Sequence, residues 1–169
     1  MAVLSGNDIR RLLQSRPPLI EGWLDLDAQL QANGFDLTLR DVALIQSGGQ
    51  VAVDNRDRMV SGQSPLSFDN AGFLSLDPGV YMITYNEIVH LPKDIIALGR
   101  PRSSLLRCGV GVGTAVWDAG YEGRSQSLLV VHNPHGFRVQ QNARITQLVF
   151  MTLSGESEGY KGIYQRENI

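Results

Sequence analysis

Phe35, Leu37 and Leu39 alternate with Asp36, Thr38 and Arg40, the period-two pattern of a strand with one buried face. Short apolar runs bounded by turn residues recur along the chain, and each predicts a strand. They are Val80 to Tyr85 after the turn Asp77-Pro78-Gly79, Ile95 to Leu98, Val110 to Val112, Leu128 to Val131, and Ile145 to Leu153. Helical spacing appears once. Ile9, Leu12 and Leu13 follow a start at Ser5 and Asp8 that resembles a capping box, and Pro17-Pro18 ends it. With 18 glycines in 169 residues and strands at short intervals, the pattern favours a β-barrel or sandwich over βαβ winding. Residues 54–69 are polar without clear periodicity and predict a long hairpin or surface loop. No repeat, linker or low-complexity tract divides the chain, so residues 1–169 are expected to form a single domain.

Composition narrows the ligands. The chain is 43% hydrophobic and 19% charged, with a net charge of −2, which lacks the basic footprint of a nucleic-acid binder. An anionic ligand must then be small and held by a local group of arginines. Cys108 is the single cysteine, which excludes an intrachain disulfide and suits a reducing cytosol. No apolar run reaches the roughly 18 residues of a membrane span. The first residues lack the basic-then-apolar pattern of a signal peptide. The expectation is a cytoplasmic protein with no membrane partner.

Two stretches carry candidate chemistry. In Arg100-Pro101-Arg102-Ser103-Ser104-Leu105-Leu106-Arg107, guanidinium forks and hydroxyls offer the donors that phosphate oxygens accept. An isolated Arg-Ser-Ser is most simply a polar turn; three clustered arginines favour a phosphate cradle. In Asp118-Ala-Gly-Tyr121-Glu-Gly123, the turn-forming residues read equally as a hairpin loop or as a carboxylate poised to orient and deprotonate water. With an ordinary pKa of about 3.9, such a base suits attack on a phosphorus already neutralised by a metal ion. His90, His132 and His135 lack metal-ligand spacing. One cysteine excludes the zinc-deaminase pattern. Glycines 109, 111 and 113, alternating with valines, resemble a strand closely approached by another backbone or a ligand.

Together these residues resemble the superfamily of trimeric dUTP pyrophosphatases (dUTPases) and dCTP deaminases. The resemblance runs from Leu4-Ser-Gly-Asn-Asp-Ile-Arg-Arg11 and Gly34-Phe-Asp36-Leu37 through Leu76-Asp-Pro-Gly-Val-Tyr81. It continues through Arg102 to Arg107 and Asp118 to Gly123 to Ala143-Arg-Ile-Thr-Gln147-Leu148. Deaminases of this kind carry a catalytic glutamate ten residues beyond the third-motif aspartate, and this chain has Leu128 there. A leucine cannot shuttle protons between water and an exocyclic amine.

The resemblance therefore implies an all-β, distorted jelly-roll barrel with a short N-terminal helix. It implies a homotrimer with intersubunit sites, and Mg²⁺-dependent hydrolysis of dUTP to dUMP and pyrophosphate. By similarity Asp118 activates water for attack on the α-phosphorus, and Tyr121 lies against the deoxyribose. Arg102, Ser103, Ser104, Arg107, Thr114 and Gln147 are expected at the substrate. The Mg²⁺ is held by the phosphates and water, assisted by Asp36. The ending Tyr160-Lys161-Gly-Ile-Tyr164-Gln-Arg166-Glu167-Asn-Ile169 resembles a deaminase tail, with Ile163 and Glu167 in place of its lysine and final glutamine. Tyr160, Lys161 and Arg166 are its candidate substrate contacts. The alternatives are a dCTP deaminase or bifunctional deaminase-diphosphatase, and a non-catalytic nucleotide-sensing protein.

Overall fold

A computed structural model describes residues 2–169. The predicted first helix is α1 (Gly6–Leu12): Ser5 and Asp8 close a reciprocal capping box, and Ile9 is its buried residue. Short strands β1 (Ile20–Glu21) and β2 (Leu30–Gln31) flank a one-turn helix α2 (Leu26–Gln29). Then comes the longest strand, β3 (Gly34–Ile45), followed by β4 (Gln63–Pro65), β5 (Phe73–Leu76), β6 (Gly79–Tyr85), β7 (Ile88–His90) and β8 (Ile95–Pro101). A helix α3 (Ser103–Arg107) separates β8 from β9 (Val110–Gly113) and β10 (Val116–Trp117). The chain finishes with β11 (Glu122–Gly123), β12 (Gln126–Val131), β13 (Phe137–Gln140) and β14 (Arg144–Thr152), followed by a C-terminal segment without strands.

The main sheet runs β10-β8-β14-β3-β6-β12-β9, with β2 and β4 also on β3; β1-β7-β11 and β13-β5 form two smaller sheets. All these pairings are antiparallel. β3 turns the corner. Its first half, Phe35 to Thr38, pairs with β14, and its second, Leu39 to Leu44, pairs with β6. Register shifts at Leu39/Asp41 and Arg144/Thr146 mark the bend, where an extra residue increases local twist and lets one strand serve two faces. The alternation of Phe35, Leu37 and Leu39 delivers all three to a core shared with Ile83, Tyr85, Leu129, Leu148 and Phe150. Each such side chain contributes about 1.5–3 kcal/mol on burial.

The expected strands are all present, and β8 runs three residues beyond its expected end. The short β1, β2, β5, β7, β10, β11 and β13, each two to four residues long, were not legible. Residues 54–69 contain a 3₁₀ turn at Asn55–Asp57, capped by Asp54, and β4. The glycine reading holds at one position. Gly109, with φ +71°, would place a Cβ 3.1 Å from Asn133 Cβ, whereas Gly111 and Gly113 leave ordinary space. Among the described residues no helix is long and apolar enough to cross a membrane.

Candidate functional site

Trp117 of β10 lies opposite Ala97 of β8. Its indole packs where Gly99 has no side chain: an added Cβ would be 2.9 Å from both Trp117 Cζ3 and Thr114 Cγ2. Trp117 Nε1 donates to Ser125 Oγ at 2.9 Å. The chain then reverses. Tyr121 N–H donates to Asp118 C=O, and Gly120 takes φ +81°, a backbone state that suits glycine. The turn leaves the Asp118 carboxylate exposed and buries Tyr121 to 6%. Asp118, Trp117, Tyr121, Ser125 and Gln126 line a cavity of about 310 Å³, closed by Tyr160, Tyr164 and Glu167 of the C-terminal segment. Its lining holds two carboxylates and no lysine or arginine.

Backbone pairing seats the C-terminal segment on this turn. Tyr160 N–H donates to Ala119 C=O, Arg166 N–H to Glu122 C=O, and Arg124 N–H to Glu167 C=O. Gln165 Nε2 donates to Gly120 C=O at 3.0 Å, and Asn168 Nδ2 to Arg124 C=O at 2.9 Å. Tyr160 meets Tyr121 edge-to-face at 5.7 Å between centroids. Tyr121 Oη donates to Glu167 Oε1 at 2.7 Å. Burial pushes the Tyr121 phenol far above its usual range, and the adjoining Glu167 carboxylate adds to the shift. Burial also raises Glu167, opposed by that hydrogen bond.

The arginine-serine stretch is not a turn. Arg102 sits at the N-cap of α3 in extended conformation, and Ser103 and Ser104 open the helix, both exposed. Arg102 Nε lies 3.0 Å from Asp36 Oδ2, and Arg144 Nη1 lies 3.4 Å from the same oxygen. Asp36 is buried to 1%. Desolvation raises its pKa, and the Arg102 and Arg144 charges pull it back. One oxygen of this carboxylate thus faces two guanidinium groups, which orients Arg102. Gln147 lies across from Asp36 on β3 and Arg100 on β8, over Gly34. Arg107 Nη1 donates to Ser103 C=O at 3.1 Å, closing the short helix on itself.

The expected site residues thus fall in two groups. Asp118, Tyr121 and Tyr160 share the cavity, with half-buried Thr114 beside its lining. Arg102, Ser103, Ser104, Arg107 and Gln147 gather at the far end of β8. Trp117 pairs with Ala97, and Arg102 follows that strand's last residue. Five residues from Ala97 to Arg102, at about 3.3 Å each, separate the groups by about 17 Å along the strand. Lys161 is bound to Glu158 at 2.6 Å and Arg166 lies 3.7 Å from Glu122; neither lines the cavity. Leu128 lies on the same face of β12 as Gln126, one pleat beyond the cavity. Ser125, Gln126, Tyr164 and Glu167 escaped the sequence reading as site residues. Their signals were position and one substitution: Ser125 and Gln126 follow the Asp118 turn, Tyr164 and Glu167 belong to the deaminase-like tail, and Glu167 stands where that tail ends in glutamine. Among the described residues no group of three His, Cys, Asp or Glu side chains is arranged to hold a metal ion.

A family model for dCTP deaminase-like proteins matches residues 3–153. A protein of Methanosarcina mazei named probable deoxyuridine 5'-triphosphate nucleotidohydrolase is 50% identical over 169 residues, covering 99% of each chain. One of the same name from Archaeoglobus fulgidus is 50% identical over 169 residues, covering 100% of this chain and 99% of its own. The solved 2'-deoxycytidine 5'-triphosphate deaminase of Agrobacterium tumefaciens superposes with a TM-score of 0.67 at 24% identity. It covers 90% of this chain, which spans 49% of that longer one. That likeness bears on the fold, a curled β-barrel.

Proposed function

The chain belongs to the dCTP deaminase-like family, and we propose that within it this protein is a dUTP diphosphatase, hydrolysing dUTP to dUMP and pyrophosphate. The observation that carries this reading is the full-length likeness, at half identity, to proteins named for dUTP hydrolysis. Position 128 agrees with it. Facing outward beside the cavity, Leu128 supplies no carboxylate where deamination would need one.

Asp118 is the base. Its exposed carboxylate takes a proton from water as the water oxygen attacks the α-phosphorus. The bond from that phosphorus to the bridging oxygen breaks, the electron pair leaves with pyrophosphate, and the proton passes to solvent. Tyr121 forms the wall against the deoxyribose. Among the described residues no group of three His, Cys, Asp or Glu side chains is arranged for a resident ion; Mg²⁺ carried by the nucleotide phosphates would supply neutralisation of their charge. With no cation in the cavity lining, the remaining phosphate charge has to be met from elsewhere. Arg102, Ser103, Ser104, Arg107 and Gln147 offer donors but lie too far along β8 in the same chain. A neighbouring copy supplies them, which fits a cyclic trimer with sites between subunits.

Product identification tests the reading. Protein incubated with Mg²⁺ and dUTP should release dUMP and pyrophosphate, and leave dCTP unchanged. Deoxyuridine nucleotides formed from dCTP would overturn it in favour of a deaminase. Tight dUTP binding without product would favour a sensor.

A further inference from the structure

Gly123 makes room for an unusual meeting. An added Cβ there would lie 2.6 Å from Tyr121 Oη and 3.3 Å from Glu167 Cγ. Into that gap the Tyr121 hydroxyl reaches across β11, and Glu167 arrives from the opposite side on a segment bridged to Gly123. Tyr160, from the same segment, presses on the ring at 74°. The ring is thereby gripped at its tip and on its flank by the last ten residues of the chain.

We propose that Glu167 is a positioning residue that sets the preference for deoxyribonucleotides over ribonucleotides by holding Tyr121. This rests on reading Tyr121 as the wall against the sugar. A wall rejects a 2'-hydroxyl only if it cannot step back, since an aromatic side chain free to move about χ1 and χ2 can yield the space of one oxygen. Packing fixes the base of the ring, and the hydrogen bond to Glu167 fixes its far end, where a small rotation moves the ring edge most. The C-terminal segment then does more than cover the cavity: it decides how firmly one of its walls stands.

The test measures equilibrium binding of the α,β-imido analogues of dUTP and UTP, with turnover of dUTP measured separately. Glu167→Ala should narrow the dUTP:UTP affinity ratio about tenfold, the worth of one hydrogen bond to a charged acceptor, chiefly through tighter UTP binding. Glu167→Gln keeps an oxygen acceptor but a neutral one of about half the strength, and should narrow the ratio by only about threefold. In a Tyr121→Phe background Glu167→Ala should add nothing, because the two act through one bond. An unchanged ratio in Glu167→Ala overturns the proposal, as does an effect that persists undiminished without the Tyr121 hydroxyl. Wild type that prefers the dUTP analogue, loses that preference in Glu167→Ala, yet hydrolyses no dUTP would sustain the proposal and remove the diphosphatase reading instead.

Discussion

Replacing Asp118 with asparagine separates chemistry from folding more cleanly than any other change at the site. The carboxylate is exposed, forms no ion pair and accepts no side-chain hydrogen bond among the described residues; only its backbone carbonyl is used, by Tyr121 N–H. The substitution therefore removes nothing that holds the turn, and its stability effect should stay within about 0.5 kcal/mol. For a chain of this length that is a shift of about 2 °C or less in Tm. An amide cannot accept the proton from water, so the general-base contribution of about 10²–10⁴ in rate is lost, equivalent to about 2.7–5.4 kcal/mol in the barrier. Pyrophosphate release from Mg·dUTP gives kcat, thermal unfolding gives Tm, and α,β-imido-dUTP gives Kd, expected within about threefold of wild type. A kcat within tenfold of wild type would refute Asp118 as the base. Activity lost in step with a Tm lowered by several degrees would make the residue structural.

Complementation reports on the shared site: Asp118→Asn and Arg102→Ala proteins, each inactive, should regain about one quarter of wild-type activity when unfolded, mixed equally and reassembled by random assortment, and no recovery would place both residues in one subunit's site. Gly34→Ala brings a Cβ to 2.4 Å from Leu148 O and 2.8 Å from Gln147 Nε2, so the β3–β14 pairing must shift; we expect a loss of about 1–3 kcal/mol, read from the urea midpoint. Glu87 is fully buried, accepts from Gln29 Nε2, Thr38 N and Thr38 Oγ1 at 2.6–2.9 Å, and has its pKa raised by burial above 4.5. The folded state then holds that proton more tightly than the unfolded chain, so this group's contribution is complete below about 4.5 and is lost as pH rises through the folded pKa. The stability of wild type relative to Glu87→Gln should therefore decline from pH 4.5 toward neutrality, and a flat or rising difference would refute the assignment.

The strands that form the barrel wall were legible because strands alternate, as β6 and β12 do, and turns need residues such as Asp77-Pro78-Gly79. Phe35 to Arg40 alternates in residue type, but the structure corrects its expected single buried face, since Asp36 and Thr38 are buried as well. The capping box at Ser5 was legible for a similarly local reason. The edges were not: a pair such as Glu122-Gly123 becomes a strand only because β7 and the C-terminal segment lie beside it. Arg102-Ser103-Ser104 taken alone reads as a turn by residue type; in the fold its serines open a short helix, and Arg102 at the N-cap reaches buried Asp36. By itself, then, the sequence determined the strand content, the reactive groups and the absence of a carboxylate at position 128. Tertiary structure decided which groups meet. Antiparallel pairing set Asp118 and Arg102 at opposite ends of β8, and folded the chain's last residues back so that Glu167 grips Tyr121. Contacts between residues 46 positions apart depend on how strands register, and no local pattern of residues encodes that.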